Sequence, residues 1–495
     1  MKSAYTSIVL VAALAGCTWL PSVGPDYERP DYELPDCELP DAGLPTTNRT
    51  EVGEYVSAPS NEDYRVSITT NEVREWWCRF NDDTLTNLVA AAVADNLTYR
   101  MAQERLVASR WELLGSYAAR LPHVNANASF TRLQKQKDTS SMWGSDNDLN
   151  RDIFAGGFDA TWEIDLFGGT RRATEAAWAS AEAAGWSLAD AWVSLTAEVA
   201  SQYVELRTTQ QRIETARTNL VLQSETYDIL KSRFDSGIGD ELAVNQSKYV
   251  VDQTHARIPT LLAQEERVMN ALAVLTGRMP GCLHEALAEC PDRDWLPAPE
   301  KLDDVSLDLI RNRPDVRVAE RKLAAQVAHV GVAESMWYPK LFINGSLGLD
   351  SVHRKKLFNR DALVGSLGPS ISWPIFQGGN VYANIKAEEA RMNEAFLAYE
   401  LALEQAYGEI RNAYSAYTHE YHRYQALQGA VKAAQDAVTI SNDLYKNGLK
   451  DFTAVIDAQR SLLNLQEELV ISRGQISQNI IALYKALGGG FLLAE

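Results

Sequence analysis

The chain has 495 residues, with 66 acidic against 47 basic side chains and a formal net charge of −19. That balance excludes a nucleic-acid surface, which needs a basic patch, and suits a solvated body outside the cytoplasm. No stretch has the roughly eighteen or more uninterrupted apolar residues of a spanning helix, so any membrane crossing falls to strands.

Residues 1–16 read as a bacterial export signal: Lys2 is the one charge, Ile8 to Leu14 is apolar, and Leu14-Ala15-Gly16-Cys17 closes it. The apolar run is too short to cross a bilayer. Leu-Ala-Gly-Cys resembles a lipobox, which would make Cys17 the lipid-bearing first residue of the mature chain. Thr18, rather than Asp, follows it and points to outer-membrane sorting, and several acyl chains on one Cys would hold firmly. Residues 17–63, acidic and Pro-rich from Val23-Gly24-Pro25-Asp26-Tyr27-Glu28-Arg29-Pro30 onward, have little to bury and form an extended tether.

An exported chain with Cys37, Cys78, Cys282 and Cys290 can form disulfides. Cys282 with Cys290 would close a short loop and leave Cys37 with Cys78; buried free thiols are the alternative. No Cys/His spacing implies zinc. His419 and His422 beside Glu420 lack a convergent fourth ligand, so no metal site is expected.

From Thr84 to about Ala118 the pattern is helical, with Leu85, Leu88, Val89, Ala92 and Val93 on one side. After Pro122 the chain alternates: Val124, Ala126, Ala128 and Phe130 oppose Asn125, Asn127, Ser129 and Thr131, which is a strand. A second runs from Phe154 to Leu166, with Asp159, Thr161, Glu163 and Asp165 on its polar face. A long helix then spans the interval from Gly169 to Gly237, and another runs from Glu241 to Thr276.

The order then repeats. Residues 237–277 overlay on 448–488 at an offset of 211, with eight of 41 pairs identical, well above chance. Gly237 meets Gly448 and Asp240 meets Asp451. Each copy is a helical hairpin tip: Gly supplies the left-handed position that ends one helix, and Asp accepts from the free N–H groups that start the next. Leu341 to Asp350 and Ser366 to Ile375 are the third and fourth strands, the last presenting Leu367, Ile371, Trp373 and Ile375. The intervals Gly169 to Gly237 and Asn380 to Gly448 hold no Pro, and their roughly 68 residues make rods of about 100 Å. The domain plan is therefore 64–282 as the first repeat, 283–305 as a mixed equatorial connection, 306–488 as the second repeat and 489–495 as the end.

Four strands, apolar on one face and polar on the other, match a membrane-barrel pattern. Four cannot close a barrel, for which about eight are needed, so several chains must share it. No GxSxG, phosphate loop or HExxH occurs, and neither an enzymatic activity nor a cofactor is expected.

Five stretches then carry a resemblance: VGPDYERP after Cys17, WEIDLFGGTRRATEAA at Trp162 to Ala177, RNRPDVRVAERKLAAQVAHVGVAESMWYPKL at Arg311 to Leu341, WPIFQGGN at Trp373 to Asn380, and NGLKDFTAVIDAQRSLL at Asn447 to Leu463. They resemble outer-membrane factors of the TolC family, in its OprM/NodT-like efflux-lipoprotein branch. The resemblance implies an α+β membrane protein of the outer membrane: a homotrimer whose chains each give four strands to a twelve-stranded barrel, continued by a periplasmic α-helical barrel with a mixed equatorial domain. It further implies a passive exit channel for drugs or other small toxic compounds, opened by a periplasmic adaptor and energised by an inner-membrane pump of the RND type. A type I protein-secretion duct, or a periplasm-spanning structural lipoprotein with no channel, are the alternatives.

By the same resemblance Asp457 and Arg460 match the periplasmic gate, while Gly237, Ile238, Asp240, Gly448, Leu449 and Asp451 match the adaptor-contacting tips. Thr453 stands where relatives often carry a bulky apolar residue, so Phe452, Val455 or Ile456 would supply any apolar plug. Three Asp457 carboxylates near a threefold axis would repel one another and attract cations; without the family match they read as partners of Arg460 in surface i,i+3 pairs. Asp159, Glu163, Asp165 and Asp350 would extend the cation preference into the barrel lumen. Gln246 and Tyr249 occupy the places of Asp457 and Arg460 in the first copy, so the two hairpins are not expected to move alike.

Overall fold

The computed structural model describes residues 22–30, 75–134, 150–288, 310–447 and 449–489. The export signal, Cys17, Cys37, Cys290, Gly448 and most of the tether and equatorial connection lie outside the described residues. No described helix is long and apolar enough to cross a membrane. The chain divides into two compact units, each taking corresponding pieces from both sequence repeats.

The first unit comprises residues 1–31, 105–185 and 318–400. Its centre is an antiparallel sheet of β1 (His123–Gln134), β2 (Asn150–Ile164), β3 (Lys340–Ser351) and β4 (Leu363–Ser372), in that spatial order. The register places Asn127, Gly157, Gly348 and Val364 side by side. Because side chains alternate along a strand, one face gathers Val124, Phe158, Leu347, Leu367 and Ile371, all exposed apolar residues. The other face gathers Asn125, Asp159, Ser346 and Ser366, where Ser346 and Ser366 share a hydroxyl hydrogen bond of 2.7 Å. Gly157 and Gly348 face each other so closely that a Cβ on Gly157 would lie 2.6 Å from the Gly348 Cα.

β1 to β3 run past the strongest alternation at one end or both, while β4 stops at Ser372. Trp373 and Ile375 thus lie beyond the strand in which they were expected. Trp373 instead donates its indole N–H to the Trp337 carbonyl at 3.0 Å, and Trp162 does the same to the Arg120 carbonyl at 3.0 Å. The matched indoles fix both repeats at the helix-connected end of the sheet. At the hairpin end, outside the Phe130–Phe154 ring contact of 4.9 Å, Arg132 and Asp152 pair at 2.8 Å.

Residues 22–30 form a strap along this unit. The Val23 N–H donates to the Phe167 carbonyl at 3.1 Å, and the buried Arg172 guanidinium donates to the carbonyls of Val23 and Gly24 and to Asp26, at 3.2, 3.0 and 2.6 Å. Tyr27 donates to Glu320 at 3.2 Å beneath the Arg321 guanidinium, and burial pushes its phenol well above the usual tyrosine range.

The second unit comprises residues 32–104, 186–317 and 401–495. The longer helices among the described residues are α1 (Asp83–Asp95), α2 (Leu97–Ala118), α3 (Gly169–Asp235), α4 (Glu241–Leu275), α5 (Pro314–Ser335), α6 (Asn380–Lys446) and α7 (Phe452–Ala486). α3 and α6 have 67 residues each, and α4 and α7 have 35 each, as the breaker spacing implied.

The helix expected from Thr84 to Ala118 is instead two. Asn96 takes an extended conformation between them; its Nδ2 donates to the Leu275 carbonyl at 2.9 Å and its Oδ1 accepts from the Tyr99 N–H at 2.9 Å. One buried amide therefore ends α1, starts α2 and satisfies the end of α4. The core of this unit gathers Trp76, Phe80, Leu85, Leu272, Ile476, Ile480 and Tyr484, with Trp76 stacked on Tyr484 at 5.4 Å. Tyr203 donates to Asp82 at 2.5 Å within it, and burial, followed by that bond, pushes its phenol up to about 12. α4 carries Pro259 in its interior, whereas the repeat offset places Val470 there in α7. Cys78 and Cys282 are both exposed, which rules out buried thiols for these two.

Candidate functional site

The two hairpin tips share one turn hydrogen bond. α3 ends at Asp235, and Gly237 just beyond it has a φ of 77°, the left-handed value that favours glycine. The Gly237 N–H reaches the Phe234 carbonyl at 2.8 Å and the Ile238 N–H reaches Arg233 at 3.0 Å. At the second tip the Leu449 N–H reaches Leu444 across the same five-residue step, at 2.9 Å. Ile238 and Leu449 are 75% and 70% exposed, so each turn projects one apolar side chain into solvent. Gly239, which has no glycine counterpart in the second copy, is also constrained: a Cβ there would lie 2.7 Å from the Phe234 nitrogen.

The starts of the returning helices differ. Asp240 caps α4 by accepting from the Leu242 N–H at 3.1 Å. Asp451 is the cap residue of α7 by position, but its side chain makes no capping hydrogen bond; its backbone carbonyl accepts from Ala454 at 3.2 Å instead. The shared capping role expected of the matched aspartates therefore holds for the first copy alone.

Phe452, Val455 and Ile456 are 5%, 0% and 6% exposed and pack with Leu230, Ala243 and Val250. Phe452 also meets the Tyr445 ring edge-on at 5.1 Å, and Tyr445 lies under Arg233 at 5.7 Å. These three are the core that holds the hairpins together within one chain. The three residues expected to supply an apolar plug thus lie in this intrachain core. Their spacing of i, i+3, i+4 was the available signal, being that of a helix face turned to a core.

What α7 exposes at this level is polar: Thr453, Asp457 and Arg460. Arg460 forms no ion pair with Asp457 among the described residues, so the surface-pair alternative is not realised. Its guanidinium carbon lies 5.8 Å from the centre of the Tyr249 ring. Tyr249 is the first copy's counterpart of Arg460, so equivalent positions of the two repeats meet across the hairpins. Asp457 presents an exposed carboxylate, and its backbone carbonyl accepts from Ser461 at 2.8 Å.

The four acidic residues assigned to the lumen separate into three situations. Asp159 accepts a hydrogen bond from Asn127 on the polar sheet face, and Asp350 stands exposed farther along the same face. Glu163 is neutralised by Lys340 across the strand pair at 3.1 Å. Asp165 lies past the end of β2 and accepts from the Arg171 N–H at 2.9 Å, where it serves the start of α3. Asp159, Glu163 and Asp350 thus share the polar face of the sheet, and Asp165 alone of the four lies beyond it.

A sheet with one lipid-compatible face and one polar face, joined to helices of tunnel length that end in paired tips, defines an outer-membrane channel with its helical body in the periplasm. The family model described as outer membrane efflux protein matches residues 88–278 and 306–489, and the chain belongs to that family. It is 30% identical over 425 residues to nodulation protein T of Rhizobium leguminosarum bv. viciae, covering 85% of each chain. It is 27% identical over 494 residues to the toluene efflux pump outer membrane protein TtgF of Pseudomonas putida, covering 99% of this chain and 98% of the other. Among solved structures, the outer-membrane channel OprN is 32% identical with a TM-score of 0.81, covering 94% of this chain and 99% of that one. The Campylobacter jejuni CmeC outer membrane channel shares the fold, with a TM-score of 0.83 at 22% identity, covering 96% of each chain. The fold class is the one the sequence led us to expect: a trimeric barrel with four strands from each chain, continued by a helical tunnel.

Proposed function

We propose that the protein is the exit duct of a tripartite efflux system, carrying small toxic compounds such as drugs or solvents passively from periplasm to exterior. The observation that carries this reading is the pairing, in one chain, of a two-faced sheet with helices of 67 residues that end in solvent-exposed Ile238 and Leu449. Those apolar tip residues offer an adaptor protein a place to dock, and the adaptor couples the duct to an inner-membrane pump of the RND type. Energy comes from that pump, since the sequence carries no nucleotide motif. The relative named for toluene efflux supports a small apolar cargo.

In this reading three Asp457 carboxylates ring the closed tip, and Arg460 over Tyr249 holds α7 to α4 in each protomer. Cys17 carries lipid. The strap supports this placement: Ser22 lies beside Gly168, and Cys17 is five residues before it, a reach of at most about 18 Å. Recording single channels of the purified trimer in planar bilayers tests the gate. Asp457→Ala is expected to raise resting conductance and weaken cation preference, and current and selectivity identical to the parent protein would remove Asp457 from the gate. Deleting the gene should raise drug accumulation; unchanged accumulation with loss of a secreted protein would replace efflux by secretion.

A further inference from the structure

The connection between β3 and β4 runs against the charge of the whole chain. Arg354, Lys355, Lys356 and Arg360 fall within seven residues of a protein whose net charge is −19. All four are exposed, and none has an ion-pair partner among the described residues. The strand cations contrast with them, since Arg132 is held by Asp152 and Lys340 by Glu163.

The loop is built rather than loose. Ser351 accepts from the His353 N–H at 3.2 Å and donates to the His353 carbonyl at 3.0 Å. Successive turns then bond Lys356 to His353, Asn359 to Lys356 and Ala362 to Asn359 at 2.9, 3.0 and 3.0 Å. Ala362 is buried and anchors the return. Between the cations Phe358 is 86% exposed, and Val352 beside them is 46% exposed. A phenylalanine left in water among unpaired cations is costly, whereas the same pairing is the signature of a membrane–water boundary.

The position fits. The loop is at the hairpin end of the sheet, opposite the ends joined to helices, and the helical body is periplasmic, so the hairpin faces outward. Leu349 and Leu363, cross-strand partners on the apolar face, lie just below it. The Arg132–Asp152 pair at the same end marks where that face gives way to charge. The outer leaflet of such a membrane is a glycolipid with phosphorylated headgroups, at the level these cations reach.

We propose that the β3–β4 hairpin is a docking site for the phosphorylated headgroup of that outer-leaflet glycolipid, with Arg354, Lys355, Lys356 and Arg360 taking the phosphates and Phe358 entering the acyl region. Guanidinium forks match phosphate oxygens two at a time, and clustered cations near an anionic surface add their attractions. The inference needs the outer-membrane placement but not the efflux reading.

The trimer, reconstituted in phosphatidylcholine nanodiscs containing bisphosphorylated or fully dephosphorylated lipid A, is washed, and retained lipid A per protomer is measured by mass spectrometry. Retention of the bisphosphorylated form is expected to exceed that of the other by roughly tenfold or more, and to fall to the dephosphorylated level when all four cations become Gln. Phe358→Ser should lower retention of both forms. Millimolar inorganic phosphate should not displace the lipid. Equal retention of the two lipids, or full retention by the four-Gln variant while its trimer and melting temperature are intact, would overturn the site. So would altered ion selectivity of that variant with unchanged lipid, which would place the cations at the channel mouth instead.

Discussion

The strap offers a test that needs no transport assay. Gly24 has a φ of 94°, and a Cβ placed on it would lie 2.4 Å from the Gly331 Cα and 3.2 Å from the Gly331 nitrogen. Both obstacles are backbone, so no rotamer change relieves them. Gly24→Ala therefore carries about 1–2 kcal/mol for a left-handed L-residue and about 1–3 kcal/mol for overpacking. A strap that lifts to escape this loses the Val23–Phe167 bond and three of the Arg172 hydrogen bonds, and leaves Arg172 with Glu175 at 2.8 Å. The expected net loss is about 2–4 kcal/mol per protomer, within the range of severe single substitutions. Proteolysis in residues 22–30, followed by mass spectrometry, should quicken by at least roughly tenfold, while Gly115→Ala, whose Cβ would meet nothing within 4 Å, serves as the control. Cleavage and melting temperature equal to that control would refute the account of Gly24 and of the strap as a packed element.

Tyr249→Ala removes the ring beneath Arg460; an exposed cation–π contact contributes about 0.5–1 kcal/mol, so open probability in bilayers should rise roughly two- to fivefold per protomer, and an unchanged value would exclude the contact as a latch. Glu467 accepts from Arg212 at 2.6 Å and from Arg257 at 3.0 Å, joining α3, α4 and α7. Glu467→Gln should cost about 1 kcal/mol after allowance for solvent screening, measured by denaturation and a double-mutant cycle with Arg257→Gln; a cycle that closes at zero would refute the coupling. His284 binds Glu266 at 2.5 Å and the Gly281 carbonyl at 2.9 Å, and these bonds, the Glu266 one first, hold its proton affinity above the ordinary 6.5. A raised histidine stabilises fully below 6.5 and loses that contribution as pH rises through its folded value. Amide exchange in residues 281–287 should therefore lose protection as pH rises above 6.5, beyond the intrinsic rate change, and His284→Gln should abolish the difference.

Features set by local periodicity were open to reading in the chain itself. The strands announced themselves by alternation, the long helices by the distance between breakers, and the duplication by matched Gly and Asp positions. What escaped depends on partners distant in sequence. Asn96 is of a type that caps helices, but the partner that makes the break worthwhile is Leu275, 179 positions away. Asp165 continues the alternation of β2 in the sequence, yet the need to satisfy the first N–H groups of α3 turns it from the sheet. Arg460 invites pairing with Asp457 three residues earlier, but the helix-to-helix approach brings the Tyr249 ring under it. The spacing of Phe452, Val455 and Ile456 is that of a core-facing helix face, and they lie in one.

Pro259 gives the duplication a mechanical asymmetry. Lacking an N–H, it leaves the carbonyl of His255 without its usual helical partner and crowds the turn before it. α7, with Val470 at the matching place, keeps an unbroken ladder. Under the same sideways load α4 is therefore the compliant strut and α7 the stiff one. A push on the first tip should therefore bend α4 near Pro259 more readily than an equal push on the second bends α7 near Val470.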